Sequence, residues 1–340
     1  MHHVDAFGLG SATTQGEATA MHAIHIRNHG GPEVMTWTER PDPAPGPGEA
    51  LVRLGVAGVN YMDVGARSVG GPGWAAPTVL GVEGMGYVSA VGDGVDDLAV
   101  GDRVAWFYHP GSYAEVLSIP VDSLVKVPDE VPDETAAAVM MQGLTANHFT
   151  TETYAIKPGD TAVVHAAAGG VGLLLTQMIK ARGGRVIGLV SREEKVAVAE
   201  EAGADHVLVS AGGGFEDRVK ELTGGEGAHV VYDGGGTSTF RSSQLSLRLH
   251  GVHAYYGPFM GVPSISVTDL PKSTLLTYPV VHHHVPTREA LVERSAEVFD
   301  MIRKGQVTPR IGGRYALSEA AKAHADLESR RTTGKLLLIP

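Results

Sequence analysis

The sequence has no cysteine among its 340 residues. Disulfide bonds, thiolate nucleophiles and zinc sites with cysteine ligands are therefore excluded. A protein without disulfides suits a reducing compartment, and we expect a cytoplasmic location.

Positive charge is also scarce, with 27 Lys and Arg residues against 38 Asp and Glu residues and a formal net charge of −11. Nucleic acids and anionic membranes bind surfaces on which basic residues cluster in excess, so neither is an expected partner. No stretch of the sequence is apolar for long enough to span a bilayer. These absences leave a small-molecule substrate as the expected partner.

Residues 1–20 lack the basic region and the apolar region of a secretory signal. They contain small and polar residues without periodicity, and the first strand-like run begins at Met21. We predict that residues 1–20 form a disordered leader.

A glycine-rich turn lies between an apolar run, Thr161–His165, and a longer apolar segment of helical length. The turn contains Ala168, Gly169, Gly170 and Val171, so the pattern predicts a strand, a tight turn and a helix. Such a turn directs free N–H groups and the positive end of the helix dipole towards the pyrophosphate of a dinucleotide. Glycines also serve ordinary tight turns, so the motif alone is weak.

The next apolar run, Arg185–Val190, ends where this fold contacts the adenosine ribose. An NAD site has a carboxylate at that strand end, whereas this sequence has Ser191, Arg192 and Lys195. Hydroxyl and cationic groups suit a 2′-phosphate, which favours NADPH over NADH. The alternative is that Arg192 and Lys195 are solvated residues at a helix start.

Short β-type runs bounded by Gly, Pro or Asp continue to about Val127 and predict a compact barrel-like domain. From residue 161 to residue 257 strands alternate with helices, which is typical of a doubly wound parallel sheet. We expect the last helix of this unit to end near Leu249, before a sixth strand. A brief β-prone run follows at Ile265–Val267, and helices are predicted at 288–304 and 320–327.

From Met21 onwards the chain resembles the zinc-free quinone oxidoreductase branch of the medium-chain dehydrogenase/reductase superfamily, the zeta-crystallin-like NADPH:quinone reductases. The matching segments, in family order, are Gly58–Asn60, Gly81–Gly86, Val100–Val104, Gly111–Glu115, Gln142–Ala146, His165–Gly172, Val231–Asp233, Pro286–Glu289 and Leu327–Lys335. The resemblance implies an α/β protein with a GroES-like β-barrel catalytic domain, residues 21–141 and 279–340, and a Rossmann NADPH-binding domain, residues 142–278. It places the cofactor between the two domains.

The resemblance also implies a set of site residues. It makes Asn60, Gln142 and Thr145 the catalytic groups beside the cofactor. It assigns cofactor contacts to the same three residues and to Ala168, Gly169, Gly170, Val171, Ser191, Arg192, Lys195, Ser210, Tyr256, Gly257, Arg330 and Lys335. The alternatives are that Asn60 only ends a strand and that Arg330 belongs to a solvated tail.

A functional metal is not expected. Zinc-dependent members of the superfamily have a histidine where this chain has Val82, and an apolar side chain cannot bind zinc. Three consecutive histidines, His282–His284, point in different directions on any regular backbone, so we interpret them as loop or packing residues.

Several departures from the family pattern fall in the expected substrate pocket. Gly65 replaces a tyrosine, Pro258 replaces an asparagine, and His284 lies where the family has a Gly-Tyr-Ile segment. Gln142 replaces a lysine, and Ser210 replaces an aromatic residue near the adenosine phosphate. A pocket changed in this way is larger and forms different hydrogen bonds, so its substrate can differ from a simple quinone.

The expected function is hydride transfer from NADPH to a quinone or to an activated C=C bond, as in an enone. One alternative is a redox-neutral enzyme such as a cyclase, and another is a non-enzymatic nucleotide-binding protein of the crystallin kind. The resemblance also implies a homodimer, and we predict that Ile265–Val267 forms an edge strand that pairs with its two-fold mate. The alternative is a loop that covers this edge.

Overall fold

The computed structural model describes residues 20–71 and 74–340. The predicted leader therefore lies outside the described residues, except for Ala20, which begins the first strand. The first part of the chain contains β1 (Ala20–Ile26), β2 (Thr36–Pro41), β3 (Glu49–Val59), α1 (Tyr61–Ser68), β4 (Thr78–Val79), β5 (Glu83–Val91), β6 (Arg103–Phe107), β7 (Val116–Pro120), β8 (Leu124–Lys126) and α2 (Asp133–His148).

A six-stranded sheet follows, with the order β11-β10-β9-β12-β13-β14, and every pair in it is parallel. This is the strand order of a doubly wound dinucleotide-binding fold. Its elements are β9 (Thr161–Val164), α3 (Gly170–Ala181), β10 (Arg185–Val190), α4 (Val196–Glu201), β11 (His206–Val209), α5 (Glu216–Leu222), β12 (Ala228–Asp233), α6 (Phe240–Leu245), β13 (Leu247–Tyr255) and β14 (Leu275–Thr277).

The last part of the chain returns to the sheet of the first part. It contains α7 (Arg288–Arg303), β15 (Ile311–Ala316), α8 (Ala320–Glu328) and β16 (Lys335–Ile339). β16 pairs with β3 in a seven-stranded sheet of order β15-β16-β3-β5-β6-β8, in which β7 also pairs with β3. The two ends of the chain therefore share one sheet, and the predicted domain boundary at residue 142 falls within α2.

The parallel sheet is covered on both faces, as its composition requires. All four residues of β9 are buried, and this strand is a continuous apolar run apart from its first residue. A large apolar cluster connects the first part of the chain with α2, α3 and one face of the sheet, and a smaller cluster around Phe215 and Val219 covers the other face. Among the described residues no helix combines the length and the apolarity needed to cross a bilayer.

Two predicted elements were wrong. Ile265–Val267 is not a strand, and the sheet ends instead at β14. β propensity reflects packing on a pleated, half-buried surface, and Val267 is 82% exposed, so its β-branched side chain has no such surface. The helix predicted to end near Leu249 ends at Leu245, because the fully buried Leu247 already belongs to β13.

Candidate functional site

The glycine turn lies between β9 and α3. β9 is the point at which the strand order reverses, because β10 and β11 lie on one side of it and β12 to β14 lie on the other. Gly169 caps α3 with an extended backbone, and Ala166 before it has a left-handed φ of 48°. A side chain on Gly172 would overlap the carbonyl oxygen of Ala166, so the helix can approach the turn this closely only with glycine there. The backbone N–H groups of the first turn of α3 therefore form a potential anion site.

The residues predicted to contact a 2′-phosphate gather at the carboxyl ends of β10 and β11. Ser191 and Arg192 are exposed directly after β10. Ser210 follows β11, and its N–H donates to the carbonyl oxygen of Val190 at 2.8 Å, which holds the two strand ends side by side. The Ser210 hydroxyl is itself used locally, since it donates to the Gly212 carbonyl at 2.6 Å.

Lys195 connects this region with the C-terminal segment. Its Nζ donates to the carbonyl oxygens of Arg330 and Thr332, at 2.8 and 2.9 Å. An ammonium group has three N–H donors, so one donor remains for an anionic ligand. Burial, followed by the charge of Arg192, lowers the pKa of Lys195 from its ordinary value.

The same C-terminal segment contacts the glycine turn. The N–H of Gly334 donates to the carbonyl oxygen of Ala168 at 3.0 Å. Gly334 has a φ of 64° and no room for a side chain beside Arg310, so this approach depends on glycine. Arg330 lies near the Sδ atom of Met260, at 3.7 Å.

Tyr256, Gly257 and Pro258 follow the carboxyl end of β13. The Tyr256 N–H donates to the carbonyl oxygen of Asp233 at 2.8 Å, and burial raises the pKa of its phenol. A side chain on Gly257 would lie 2.6 Å from the backbone of Gly234, so the two loops pass each other closely. These predicted residues therefore lie on the same edge of the parallel sheet as the glycine turn.

A buried polar centre lies where the two sheets meet. Asn60 Nδ2 donates to Glu83 Oε2 at 2.8 Å, and Lys335 Nζ donates to Asn60 Oδ1 at 2.8 Å and to Glu83 Oε2. Lys335 is 1% exposed and Glu83 is fully buried, so each charge relies on the other and on the Asn60 amide. Glu83 was not predicted as a site residue, although it lies within the matched segment Gly81–Gly86.

Gln142 joins the polar centre to the glycine turn. Its Nε2 donates to Asn60 Oδ1 at 3.4 Å, and its buried Oε1 has no hydrogen-bond partner among the described residues. A side chain on Gly170 would collide with this Oε1, so the unpaired acceptor faces the turn. Thr145 lies one turn further along α2, and its hydroxyl donates to the Met141 carbonyl at 2.7 Å.

A second chain of buried polar groups extends from Asn60, whose N–H donates to Asp63 Oδ2 at 2.8 Å. The Tyr113 hydroxyl lies 3.1 Å from Asp63 Oδ2 and 3.1 Å from His324 Nε2, and Arg67 contacts His324 Nδ1 at 3.2 Å. Burial raises the pKa of Asp63 to about 7. No sequence motif marked Asp63 or His324, because 261 positions separate them and only the fold brings them together.

The predicted substrate-pocket residues lie on or beside different elements. Gly65 is buried within α1, one turn after Asn60, and Pro258 begins a short 3-10 turn beside the end of β13. His284 follows a 3-10 turn and packs against the end of α2, where its Nε2 lies 2.8 Å from Asn147 Oδ1. Val82, at the position of the zinc ligand in other members of the superfamily, is fully buried.

A Rossmann sheet with a glycine turn at its switch point, joined to a second β domain whose buried polar residues reach that turn, defines the class of medium-chain dehydrogenases and reductases. Residues 46–129 match the family described as "Alcohol dehydrogenase GroES-like domain", and residues 170–291 match "Zinc-binding dehydrogenase". Both matches agree with the two sheets described above.

Individual relatives indicate the family within this class. A quinone oxidoreductase from Pseudomonas aeruginosa is 38% identical over 93% of this chain and 99% of its own length. A 2-haloacrylate reductase from a Burkholderia species is 36% identical over 94% of this chain and 98% of its own length. The crystal structure of Escherichia coli quinone oxidoreductase complexed with NADPH, 36% identical, has a TM-score of 0.90 and covers 94% of this chain and 100% of its own. The chain belongs to the zeta-crystallin-like quinone oxidoreductase family of the medium-chain dehydrogenases and reductases.

Proposed function

We propose that the protein is an NADPH-dependent oxidoreductase that transfers a hydride to a quinone or to an activated C=C bond. The observation that carries this proposal is the junction of the glycine turn with the buried centre of Asn60, Lys335 and Gln142. The names of the relatives support both acceptor classes, since they include quinone oxidoreductases and a 2-haloacrylate reductase. In either acceptor, the hydride goes to an electrophilic carbon conjugated to an electron-withdrawing group.

The residues present fit a dinucleotide. The turn is too close to Ala166 for any residue but glycine at position 172, and the buried Gln142 Oε1 lacks a donor that a hydroxyl or amide of a bound ligand would provide. Gly169, Gly170 and Val171 would hold the pyrophosphate, and Ser191, Arg192 and Lys195 would hold the 2′-phosphate. When bound, NADPH supplies the hydride.

The chain's own contribution is to orient and to exclude water. Lys335 and Glu83 fix both ends of the Asn60 amide, so its oxygen is directed towards Gln142 as well as Lys335. Gln142 in turn presents its unpaired oxygen to the glycine turn. Because all four side chains are at most 9% exposed, this geometry is held in a dry environment, where hydrogen bonds are strong.

The proposal is zinc-independent. Its support is the residue set, because Val82 replaces the histidine ligand of other members of the superfamily and the sequence has no cysteine. The residue after Val82, Glu83, is paired with the ammonium group of Lys335, and an ammonium group repels a cation.

Turnover assays separate the candidate functions. The purified protein is mixed with NADPH and a panel of quinones and enones, and the loss of NADPH absorbance is followed together with the products. NADPH consumption matched by reduced product supports the proposal. Product formed without NADPH consumption would favour a redox-neutral enzyme, and tight NADPH binding without turnover of any acceptor would favour a non-enzymatic role.

We also propose a homodimer, formed through β14 and not through Ile265–Val267. Its support is that β14 ends the parallel sheet and that Leu275 and Tyr278 are 63% and 56% exposed. An edge strand leaves unpaired N–H and C=O groups, which a second copy can pair by two-fold symmetry. A cytoplasmic location stays a prediction.

A further inference from the structure

Three side chains with metal-binding atoms meet outside the proposed hydride-transfer site. His148 ends α2, Glu152 lies in the π-helical turn Phe149–Thr153 that continues it, and His284 follows a 3-10 turn at Val281–His283. One ligand atom from each of the three lies within 4.8 Å of the other two. Both histidines are buried, and Glu152 faces outward.

The hydrogen bonds of Asn147 determine where the proton of His284 lies. Asn147 Nδ2 donates to Glu297 Oε2 at 3.2 Å, so its Oδ1 is the atom that faces His284 Nε2 at 2.8 Å. A carbonyl oxygen only accepts, and Nε2 must therefore carry a proton. In the neutral ring, Nδ1 then has a free lone pair.

This nitrogen lies close to a carboxylate. The distance from His284 Nδ1 to Glu152 Oε2 is 2.9 Å, and Nδ1 is a buried atom without a hydrogen bond of good geometry. An ion beside both atoms would give the buried nitrogen the partner that it lacks. The arrangement therefore suits two ligands of one ion.

His148 provides the third ligand. Its Nδ1 is also buried without a hydrogen-bond partner and lies 3.6 Å from the same Glu152 Oε2. The other oxygen of Glu152, Oε1, faces Arg294 at 3.3 Å, which leaves Oε2 to the two imidazoles.

We propose that His148, Glu152 and His284 bind a divalent first-row transition-metal ion, with Zn²⁺ as the ion to test. Two imidazoles and one carboxylate are a donor set that Zn²⁺ binds, with a fourth position left for water or another ligand. The Asn147 carbonyl oxygen orients His284 in the way that hydrogen-bond acceptors commonly orient metal-bound histidines. A cavity of about 320 Å³, lined by His148, Glu152 and residues of β14, gives the ion and its water access.

The bound ion would have a structural effect. His148 and Glu152 lie at the end of α2, and His284 lies in the segment that leads into α7, so the ion would fasten two distant parts of the chain to each other. This function is independent of hydride transfer, because none of its ligands contacts the glycine turn or the centre around Asn60. Arg294 is a nearby positive charge, and we therefore expect micromolar affinity instead of the tighter binding of buried structural zinc sites.

Calorimetry with ZnCl₂ on the full-length protein tests the site, and the visible absorption of bound Co²⁺ reports its coordination geometry. The wild-type protein is expected to bind one equivalent, and Zn²⁺ should raise Tm by about 5 °C. The variant Glu152→Gln removes the carboxylate from a side chain that is 45% exposed, so it keeps its fold while affinity falls at least tenfold. His284→Gln should behave alike.

His282→Gln is the matched control, because this neighbouring histidine stacks on Tyr108 and does not belong to the cluster. It should bind Zn²⁺ like the wild-type protein, which distinguishes the site from weak binding by other histidines. NADPH affinity should be unchanged in Glu152→Gln, so that failure of the metal site and failure of the proposed function can be told apart. Two results would overturn the proposal. One is wild-type protein that binds no Zn²⁺ at concentrations up to roughly 100 μM. The other is Glu152→Gln protein that binds Zn²⁺ as tightly as the wild-type protein.

Discussion

Lys335 forms a buried ion pair with Glu83, although 252 positions separate the two residues in the chain. Lys335 begins β16 and Glu83 begins β5, the two strands that lie on either side of β3. The two side chains also hold the Asn60 amide. Moving two charges out of water costs desolvation energy. The attraction within the pair offsets this cost only when both charges are present. Stability and site geometry therefore depend on the same three residues.

The variant Lys335→Met tests this dependence. Removal of the ammonium group leaves the Glu83 carboxylate buried without its counter-charge, and we expect the free energy of unfolding to fall by about 3–5 kcal/mol. Urea denaturation of both proteins measures the difference.

Lys126→Met is the control, because Lys126 is 59% exposed and its ion pair with Asp102 lies at the surface. Its loss should cost less than about 1 kcal/mol. Equal costs for the two lysines would contradict the interpretation of Lys335 as part of a buried centre.

Asp63 predicts a pH dependence of stability. Burial raises its pKa in the folded protein from 3.8 to about 7. Between these values the folded state retains a proton that the unfolded state has lost, so the free energy of unfolding falls as pH rises. Asp63→Asn keeps the shape of the protonated carboxyl and lacks this titration.

The measurement is the difference in unfolding free energy between wild-type and Asp63→Asn protein at pH 5 and pH 8. We expect the wild-type protein to lose roughly 2–3 kcal/mol relative to the variant over this range. Three histidines act in the opposite sense, since the pKa values of His148, His165 and His324 are lowered to about 4, 4 and 3. Both proteins contain them, so their contribution cancels. A difference that is constant with pH would refute the raised pKa.

Local patterns in the sequence were sufficient for the parallel sheet and the glycine turn. The run Thr161–Val164, the turn and the helix after it are close in sequence, and their geometry is determined by backbone preferences and by burial. The pairing of β16 with β3 could be inferred only from the resemblance, because no periodicity within either segment indicates its partner.

The contacts that the sequence did not predict are those between distant side chains. Glu83 with Lys335 and Asp63 with His324 become neighbours only through the seven-stranded sheet and α8. His284 was interpreted as a loop or packing residue, and the reason that it also meets His148 and Glu152 is that α2 continues as a π-helical turn. β propensity likewise failed at Ile265–Val267, because exposure and not residue type decided the structure there.

Cofactor preference depends on the end of β10. Arg192 is exposed there, and Arg192→Ala should weaken NADPH binding roughly tenfold or more, the value of one charge-assisted contact to a phosphate. NADH has no 2′-phosphate, so its affinity should change little. Calorimetry with both cofactors measures the effect, and Arg303→Ala, whose side chain pairs with Asp300 on α7, is the control. Equal losses for NADPH and NADH would place Arg192 away from the 2′-phosphate.

The parallel sheet ends at β14. β14 pairs with β13 on one side only, and Leu275 at its start is 63% exposed. In a two-fold dimer, a lysine at this position would bring two like charges together at the interface. In the monomer, the lysine side chain would extend into water without loss of stability. We therefore expect Leu275→Lys to shift a dimer of the wild-type protein to a monomer in light scattering at micromolar concentration.

Val100→Lys controls for the added charge, because Val100 is 68% exposed and lies in the first part of the chain, far in sequence from β14. This variant should keep the mass of the wild-type protein. A wild-type protein with the mass of a monomer would refute the dimer. A dimer that persists in Leu275→Lys would show that the interface does not include β14. The strand predicted at Ile265–Val267 does not exist, so the edge that supports a dimer is β14. Its unpaired backbone groups need either water or a second copy of the chain, and an exposed leucine at the same edge favours the second copy.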